Sequence, residues 1–227
     1  MDLTPPQTTA ELEVRARALA GLSIGELAQH AGVKLPREPR HAKGWLGQLI
    51  ETRLGATAGS RAEPDFQTIG VELKTLPLNR HGRPRESTYV CTVPLTSAGD
   101  LAWETSWVRR KLSRVLWVPV EADPAIALAR RRLGFPLLWS PTPEQAEMLR
   151  RDWEELMDMV CLGRLEEISA RHGMCLQIRP KAANSRALRA ATGASGEQTL
   201  SLPRGFYLRT SFTARILEDA YVLPGAH

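Results

Sequence analysis

The spacing of apolar and polar residues predicts an alternation of helices and strands along the chain. Apolar residues at every third or fourth position are typical of helices that pack one face on a core, and alternating positions are typical of strands. Helices are predicted over residues 10–20, 24–31, 45–54, 106–112, 144–171 (with a break at Gly163) and 212–221, and strands over residues 69–78, 87–95, 114–121, 136–140, 174–180 and 205–211. The predicted fold class is therefore α/β.

Several element boundaries carry signals of their own. Ser23 and Glu26 form a capping box, in which each side chain bonds a backbone N–H that the first helical turn leaves unpaired. Gly32 ends that helix, and Thr142 followed by Pro143 begins a later one. Neither a long linker nor an internal repeat divides the sequence, so a single domain over residues 1–227 is expected.

Composition narrows the picture by exclusion. With 43% hydrophobic and 24% charged residues, the chain is neither a disordered tail nor a small disulfide scaffold. Its three cysteines form no C-x-x-C pair, which favours a reducing, cytoplasmic setting. The sequence shows no secretion signal and no apolar run long enough to cross a membrane, so no membrane partner is expected. A net charge of +5 favours a polyanionic partner without identifying it.

One predicted strand carries an informative pair of charges. Glu72 and Lys74 are two positions apart, so their side chains leave the same face of a strand at a spacing of about 6–7 Å. An acidic residue two positions before a lysine arises by chance roughly once or twice in a chain of this size. Here lysine occurs only five times, and this is the only such triplet. The alternative is a weak ion pair on the solvent face of an edge strand, and the pattern alone leaves both open.

The neighbouring acidic residues suggest a metal site. Asp65 lies just ahead of the strand, and a chain that doubles back there would bring its carboxylate beside that of Glu72. Two converging carboxylates are the hard oxygen ligands that Mg²⁺ prefers, and they leave its other positions to water and phosphate. Lys74 would orient the attacking water or stabilise developing negative charge. Glu51, near the end of the preceding helix, is a candidate for a further ligand.

These residues resemble a known family. The segment DFQTIGVELKT resembles the D…[DE]-x-K motif of restriction-endonuclease-like nucleases. A resemblance to the MutH family of methyl-directed mismatch-repair endonucleases continues through KGWLGQLIE, LGATAGS, WETSWVRRKLSRVLWVPVE, DWEELMDM, LQIRPKAAN and LPRGFYLRTSFT. The resemblance implies a restriction-endonuclease-like mixed β-sheet flanked by helices, with two lobes that form a DNA-binding cleft. The N-terminal lobe would carry the catalytic residues and the C-terminal lobe the DNA-recognition residues.

The same resemblance implies an activity and partners. It implies a Mg²⁺-dependent enzyme, whose site Mn²⁺ or Ca²⁺ can also occupy, that nicks the unmethylated strand of hemimethylated GATC sites, 5′ of the G. The implied substrate is double-stranded DNA with GATC sites. MutL would be the direct activator and MutS would act through MutL. The implied form is a monomer in the bacterial cytoplasm.

Carried over residue by residue, the catalytic positions of the family fall on Glu51, Asp65, Glu72, Lys74 and Lys111. Glu51, Asp65 and Glu72 would also bind the metal. Lys111 is surrounded by other basic residues, so a plain phosphate contact is an alternative role for it.

The DNA-binding positions fall on Lys43, Gly44, Tyr89, Arg179, Lys181 and Tyr207. Arginine bonds guanine edges and lysine bonds base edges or phosphates, which suits Arg179 and Lys181. The family assigns to the Tyr207 position the detection of the adenine N6 methyl group, since a rigid ring there would admit hydrogen and exclude methyl. Without the resemblance, a solvated basic turn and ordinary half-buried aromatic residues remain alternatives.

Two other functions stay open at this point. A GATC-specific type II restriction endonuclease would carry similar residues, although such enzymes usually cut both strands as dimers or with two related lobes. A DNA-binding protein without catalysis would hold its basic residues around a structural ion pair. Replacing Asp65 by Ala separates these, because a nuclease should lose cleavage while it keeps much of its DNA affinity.

Overall fold

The computed structural model describes residues 3–36, 39–59, 63–96, 101–181, 189–192 and 197–221. In chain order the helices are α1 (Thr9–Arg17), α2 (Ile24–Ala31), α3 (Pro39–Leu54), α4 (Trp107–Leu112), α5 (Pro143–Cys161) and α6 (Thr210–Ala220). The strands are β1 (Glu72–Leu78), β2 (Thr88–Thr92), β3 (Val115–Glu121), β4 (Leu137–Trp139), β5 (Leu176–Pro180), β6 (Arg189–Thr192), β7 (Gln198–Ser201) and β8 (Arg204–Leu208). The predicted α/β class is confirmed.

The chain divides into two compact units. The first unit takes residues 1–85 and 113–140, and the second takes residues 86–112 and 141–227. The predictions of one domain and of a DNA-binding cleft stay predictions. Within the described ranges, no helix is both long enough and apolar enough to cross a membrane.

The first unit is built on a sheet with the order β1-β3-β4. Strand β3 is parallel to β1 and antiparallel to β4. Six of the seven β3 residues are buried, as expected for a central strand that reads as a nearly continuous apolar run. Side chains from the sheet and from α1, α2 and α3 share one core, which includes Leu12, Leu27, Ile50 and Leu116. This core supports the N-terminal end of β1, where Glu72 lies.

The second unit is built on an antiparallel sheet with the order β2-β8-β5. Helix α5 packs against β5 and buries an apolar stripe that includes Trp153, Leu156 and Val160. Its sequence DWEELMDM therefore serves the core of this unit. The Asp152 carboxylate, also buried, accepts hydrogen bonds from three consecutive backbone N–H groups, those of Met174 and Cys175 just before β5 and that of Leu176 at its start.

The observed elements differ from the predicted ones at several ends. The capping boxes at Ser23 and Thr142 are present. The predicted break at Gly163 is confirmed, since α5 ends at Cys161 and Gly163 takes a φ of +68°. The prediction that the helix resumes and reaches residue 171 is wrong, and a short 3₁₀ turn over Leu165–Glu167 follows. The reason is tertiary: the Arg209 guanidinium donates to the carbonyl groups of Ala170, His172 and Gly173 and holds this segment as a loop. The short strands β6 and β7 were not predicted, because their sequences lack an apolar run.

Candidate active site and recognition face

Asp65 faces Glu72 across a tight turn of the backbone. Phe66 and Val71 exchange two backbone hydrogen bonds, at 2.9 and 3.2 Å, around a 3₁₀ turn over Gln67–Ile69. Gly70 closes the turn with a φ of +63°, a conformation that favours glycine. Because residue 66 pairs with residue 71, residue 65 stands opposite residue 72 in the same antiparallel register. The expectation that the chain doubles back at this point is confirmed.

Asp65 is fixed by backbone groups on two sides. Its carboxylate accepts a hydrogen bond from the Leu73 N–H at 2.8 Å, and its own carbonyl accepts one from the Thr57 N–H at 3.1 Å. Asp65 is 9% exposed and Glu72 is 2% exposed. Two acidic residues are thus held close together in a largely water-excluded place, where electrostatic interactions are stronger than in bulk water.

Lys74 forms an ion pair with the buried acid. Its Nζ lies 2.6 Å from Glu72 Oε1, and the two side chains are 16% and 2% exposed. β1 is an edge strand of its sheet, yet this burial contradicts the alternative of a pair on the solvent face. Asp65, Glu72 and Lys74 together are called the acidic site below.

Glu51 lies in the last turns of α3, in the same unit as the acidic site. It lines a pocket of about 390 Å³ together with Trp45 and Gln48. The described residues contain no group of three His, Cys, Asp or Glu side chains that could hold a metal ion, so Glu51 does not join Asp65 and Glu72 as a third ligand in this structure. Its predicted role as a ligand stays a prediction.

The pair Asp65 and Glu72 nevertheless fits Mg²⁺. This ion commonly binds through one or two carboxylates and takes its remaining ligands from water and substrate phosphates. A donor set of two facing acids beside a lysine is therefore suited to a metal ion that also contacts a phosphodiester. A protein cage that supplied every ligand would require more oxygen atoms than these two residues offer.

The predicted recognition residues gather on one face of the sheet in the second unit. Tyr89 on β2 pairs with Tyr207 on β8, and their rings meet edge to face with centroids 5.4 Å apart. Burial, with a smaller contribution from Tyr89, raises the pKa of the Tyr207 phenol above its usual value. Gly205 makes room for both rings, since a Cβ there would lie 2.9 Å from the Tyr89 ring and 3.0 Å from the Tyr207 ring.

The two basic residues of this face are held by neutral groups. Arg179 donates to the Ser87 hydroxyl at 2.8 Å, and its guanidinium lies 5.9 Å from the centre of the Tyr207 ring. Lys181 donates to the Tyr89 hydroxyl at 2.5 Å and lies 3.8 Å from the centre of that ring. Across the described residues, neither cation has a carboxylate within ion-pair distance. Both positive charges are thus available to an anion. Tyr89, Arg179, Lys181 and Tyr207 are called the recognition face below.

The structure gives fewer contacts for the remaining predicted positions, which are Lys43, Gly44 and Lys111. Lys111 lies on α4 in the second unit, half-buried, so the predicted catalytic residues are divided between the two units. The backbone of Lys43 belongs to α3, and its side chain lies outside the described residues. Gly44 is exposed on α3, and a Cβ there would meet open space. The predicted approach of DNA to Lys43 and Gly44 stays a prediction.

Comparison with known proteins decides the family. The family model described as DNA mismatch repair enzyme MutH matches residues 54–152. Proteins named DNA mismatch repair protein MutH in Salmonella paratyphi C (strain RKS4594), Salmonella choleraesuis (strain SC-B67) and Salmonella newport (strain SL254) are 57% identical over 221 residues, which cover 97% of this chain and 96% of theirs. The chain belongs to the MutH family of DNA mismatch-repair endonucleases. The resemblance that the sequence motifs indicated is thereby confirmed over nearly the whole length.

Sequence reasoning missed three residues that shape the recognition face of this MutH-family chain. Ser87 bonds Arg179, Thr92 bonds the Tyr89 hydroxyl at 3.0 Å, and Gly205 makes room for the rings. Gly205 had a usable signal, because a glycine inside a strand often marks a close approach. Ser87 had none, because the pairing of β2 and β5 around β8 brings it to Arg179, 92 residues later in the chain. Thr92 is only three residues from Tyr89, but residues three apart on a regular strand leave opposite faces, and the irregular register between Tyr89 and Cys91 has no signal in the sequence.

Proposed function

We propose that this chain nicks the unmethylated strand of hemimethylated GATC sites in double-stranded DNA, 5′ of the G, in a Mg²⁺-dependent reaction. The observation that carries the proposal is the facing of Asp65 and Glu72, with Lys74 at 2.6 Å from the Glu72 carboxylate. Two acids and a cation in one place are suited to phosphodiester hydrolysis with a metal ion. Membership of the MutH family supports the same reaction class.

Each residue of the acidic site has a distinct part in this reaction. Asp65 and Glu72 would hold Mg²⁺, which when bound polarises a phosphoryl oxygen and lowers the pKa of bound water. The Leu73 N–H orients the Asp65 carboxylate before substrate arrives. Lys74 would donate a hydrogen bond to a phosphate oxygen as negative charge grows there. In this step the oxygen of a water molecule bonds to phosphorus and releases its proton to solvent, and the bridging oxygen departs with its electron pair and takes a proton from water. Because Lys74 already pairs with Glu72, the charge of the ammonium is held in position.

The recognition face would read the DNA sequence and its methylation. Arg179 presents a planar guanidinium suited to the O6 and N7 atoms of guanine, and Lys181 presents a compact charge for a base edge or a phosphate. The Tyr207 ring is held against Tyr89 and is only partly exposed, so moving it aside for a bulky group on the DNA would break its contact with the Tyr89 ring. A ring of this kind would accept an unmodified adenine N6 and collide with an N6 methyl group.

The proposal extends to partners and setting. MutL would activate the chain directly, and MutS would act through MutL. The chain would work as a monomer in the bacterial cytoplasm, and the three reduced cysteines Cys91, Cys161 and Cys175 are compatible with a reducing compartment.

The test is a gel assay of the purified chain on supercoiled plasmid with GATC sites, either unmethylated or fully methylated. Reactions contain Mg²⁺ or chelator, with and without MutL, and Asp65→Asn serves as the matched inactive variant. A hemimethylated duplex with each strand labelled reports which strand is cut and on which side of the G. We expect open-circle product that requires Mg²⁺, requires an unmethylated strand and increases with MutL.

Other products would overturn particular parts of the proposal. Rapid linear product that does not depend on MutL would indicate a restriction endonuclease. Equal cutting of fully methylated plasmid would contradict the methylation specificity. The absence of cleavage under every condition, with intact DNA binding, would indicate a binding protein.

A further inference from the structure

The recognition face contains a continuous chain of hydrogen bonds between side chains. Lys181 Nζ lies 2.5 Å from the Tyr89 hydroxyl, and the same hydroxyl lies 3.0 Å from Thr92 Oγ1. Lys181 follows β5, whereas Tyr89 and Thr92 are on β2, and β8 lies between the two strands in the sheet. The lysine side chain therefore reaches over the central strand to meet its partner.

The direction of these bonds follows from the chemistry of lysine. An ammonium has three donors and no acceptor, so Lys181 must donate to the Tyr89 oxygen. The bond between the Tyr89 hydroxyl and Thr92 Oγ1 can form in either direction, and in both directions it fixes the hydroxyl that receives Lys181. The three groups are thus linked in the order Lys181, Tyr89, Thr92. When the phenol donates to Thr92, the chain is polarised and each of its bonds is strengthened.

The ring of Tyr89 is fixed independently of its hydroxyl. It packs edge to face on Tyr207, and Gly205 leaves the space that both rings require. Removing only the hydroxyl should therefore leave the ring in place. This separates the contribution of one oxygen atom from that of the whole side chain.

We propose that the hydroxyl of Tyr89, oriented by Thr92, is a positioning group that fixes the Lys181 ammonium for sequence-specific contact with DNA. The inference rests on the proposed function, in which Lys181 contacts DNA. A lysine on an exposed turn otherwise samples many rotamers, and binding must then immobilise it at a cost of affinity. Because Tyr89 already holds the Lys181 ammonium in the free protein, contact with the correct base edge or phosphate requires little further ordering of this side chain.

Binding measurements test the consequence for DNA. Fluorescence anisotropy in Ca²⁺ gives the Kd for a duplex with one unmethylated GATC and for a duplex with one base of that site changed. Discrimination is the Kd of the altered duplex divided by the Kd of the GATC duplex. We expect Tyr89→Phe to lower this ratio about three- to tenfold, and Thr92→Val to lower it less. Tyr221→Phe is the matched control for loss of a phenol hydroxyl, and it should leave the ratio unchanged.

A double-mutant cycle tests whether Tyr89 acts through Lys181. In a Lys181→Met background, Tyr89→Phe should cause no further loss of discrimination. The same loss in both backgrounds would overturn the inference, and so would full discrimination in the single Tyr89→Phe variant.

A spectroscopic measurement without DNA keeps the inference separate from the proposed function. The chain has only five lysines, so its side-chain CH₂ signals next to the ammonium can be resolved by NMR, with Lys181→Arg as the assignment control. Lys181 lies 3.8 Å from the Tyr89 ring centre, so its signal should be shifted upfield by the ring current. We expect the shift to collapse in Tyr89→Phe, and an unchanged shift would overturn the role of the hydroxyl. If the wild-type chain did not prefer GATC, the proposed function would fail, and this spectrum would still decide whether the hydroxyl holds Lys181.

Discussion

The backbone N–H of Leu73 donates a hydrogen bond of 2.8 Å to the carboxylate of Asp65, eight residues earlier in the chain. The acid expected to bind metal is therefore also part of the local fold. Removal of this side chain should have two separable effects. Loss of its charge should reduce cleavage, and loss of its hydrogen-bond acceptor should reduce stability. Substitutions of different chemistry at Asp65 should separate them.

We expect Asp65→Asn to lose cleavage and to keep its fold. The amide oxygen can still accept from Leu73, but the neutral side chain is a poor ligand for Mg²⁺, so nicking should fall at least about a hundredfold. Asp65→Ala also leaves the buried Leu73 N–H without this acceptor and should lower the free energy of unfolding by about 1–3 kcal/mol. Plasmid nicking and urea unfolding measure the two effects. Full nicking by Asp65→Asn would rule out the proposed active site.

The ion pair between Glu72 and Lys74 should contribute to stability as well as to catalysis. Lys74→Met leaves the buried Glu72 carboxylate without its cation and should cost about 2–3 kcal/mol, somewhat less than for a fully buried pair because Lys74 keeps some contact with water. The double variant Glu72→Gln with Lys74→Met should recover part of this stability and remain inactive. Urea unfolding of the four proteins in this cycle is the measurement.

The exposed pair of Arg151 and Glu147 on α5 is the matched control for this cycle. Its side chains are 75% and 50% exposed, so Arg151→Met should change the free energy of unfolding by no more than about 0.5 kcal/mol. Equal costs at Lys74 and Arg151 would show that burial does not strengthen the active-site pair.

The acidic site shows how far local sequence can predict a site. Glu72 and Lys74 share a strand, and the tight turn from Asp65 to Glu72 spans only eight residues, so a local pattern contained most of the geometry. Their burial was not predictable from the pattern, because it depends on the core formed with α1, α2 and α3. The charged alternation alone was compatible with a solvent face.

The recognition face marks the limit of that reasoning. Arg179, Lys181 and Tyr207 were identified from the family resemblance, whereas their neighbours depend on how β2, β5 and β8 pair. Strand pairing across long stretches of chain is set by the whole fold and leaves little local signal. For the same reason the helix predicted between Gly163 and residue 171 is wrong, since Arg209 holds this segment as a loop from far along the sequence.

Methyl discrimination should depend on the ring of Tyr207 and not on its hydroxyl. Tyr207→Phe keeps the ring and should keep the preference for unmethylated over fully methylated DNA, whereas Tyr207→Ser should narrow it by opening space. Burial raises the pKa of this phenol, so it stays neutral below its ordinary pKa near 10. The preference should therefore be constant between about pH 7 and 9. Nicking rates on both substrates over this pH range are the measurement. Complete resistance of methylated DNA to Tyr207→Ser would assign the detection to another residue.

Asp152 should be essential to the stability of the second unit. Both of its carboxylate oxygens accept from backbone N–H groups just before and at the start of β5, at distances of 2.5 to 2.9 Å. Asp152→Ala should lower the free energy of unfolding by about 3–5 kcal/mol, because the buried N–H groups of Cys175 and Leu176 both lose their acceptor. Asp152→Asn should also be costly, since its NH₂ group cannot accept a hydrogen bond. Urea unfolding is the measurement, and the exposed Asp158→Asn on the same helix is the control. Equal stability of the two Asn variants would contradict this role.

The three cysteines should differ sharply in reactivity, which tests the burial of the second unit. Cys161 is exposed, whereas Cys91 and Cys175 are buried, and burial with the nearby Asp152 raises the pKa of the Cys175 thiol to about 11. A thiol reagent at about pH 8 should label one site quickly, and Cys161→Ser should abolish this phase.

The folded pKa of Cys175 exceeds its ordinary value near 9, so the protonated thiol favours folding below about pH 9, and this contribution should be lost between about pH 9 and 11. The loss amounts to about 2–3 kcal/mol at most, and Cys175→Ala should remove it from the pH dependence of unfolding. In the labelling experiment, rapid reaction of a second thiol in the native protein would contradict the observed burial of Cys91 and Cys175.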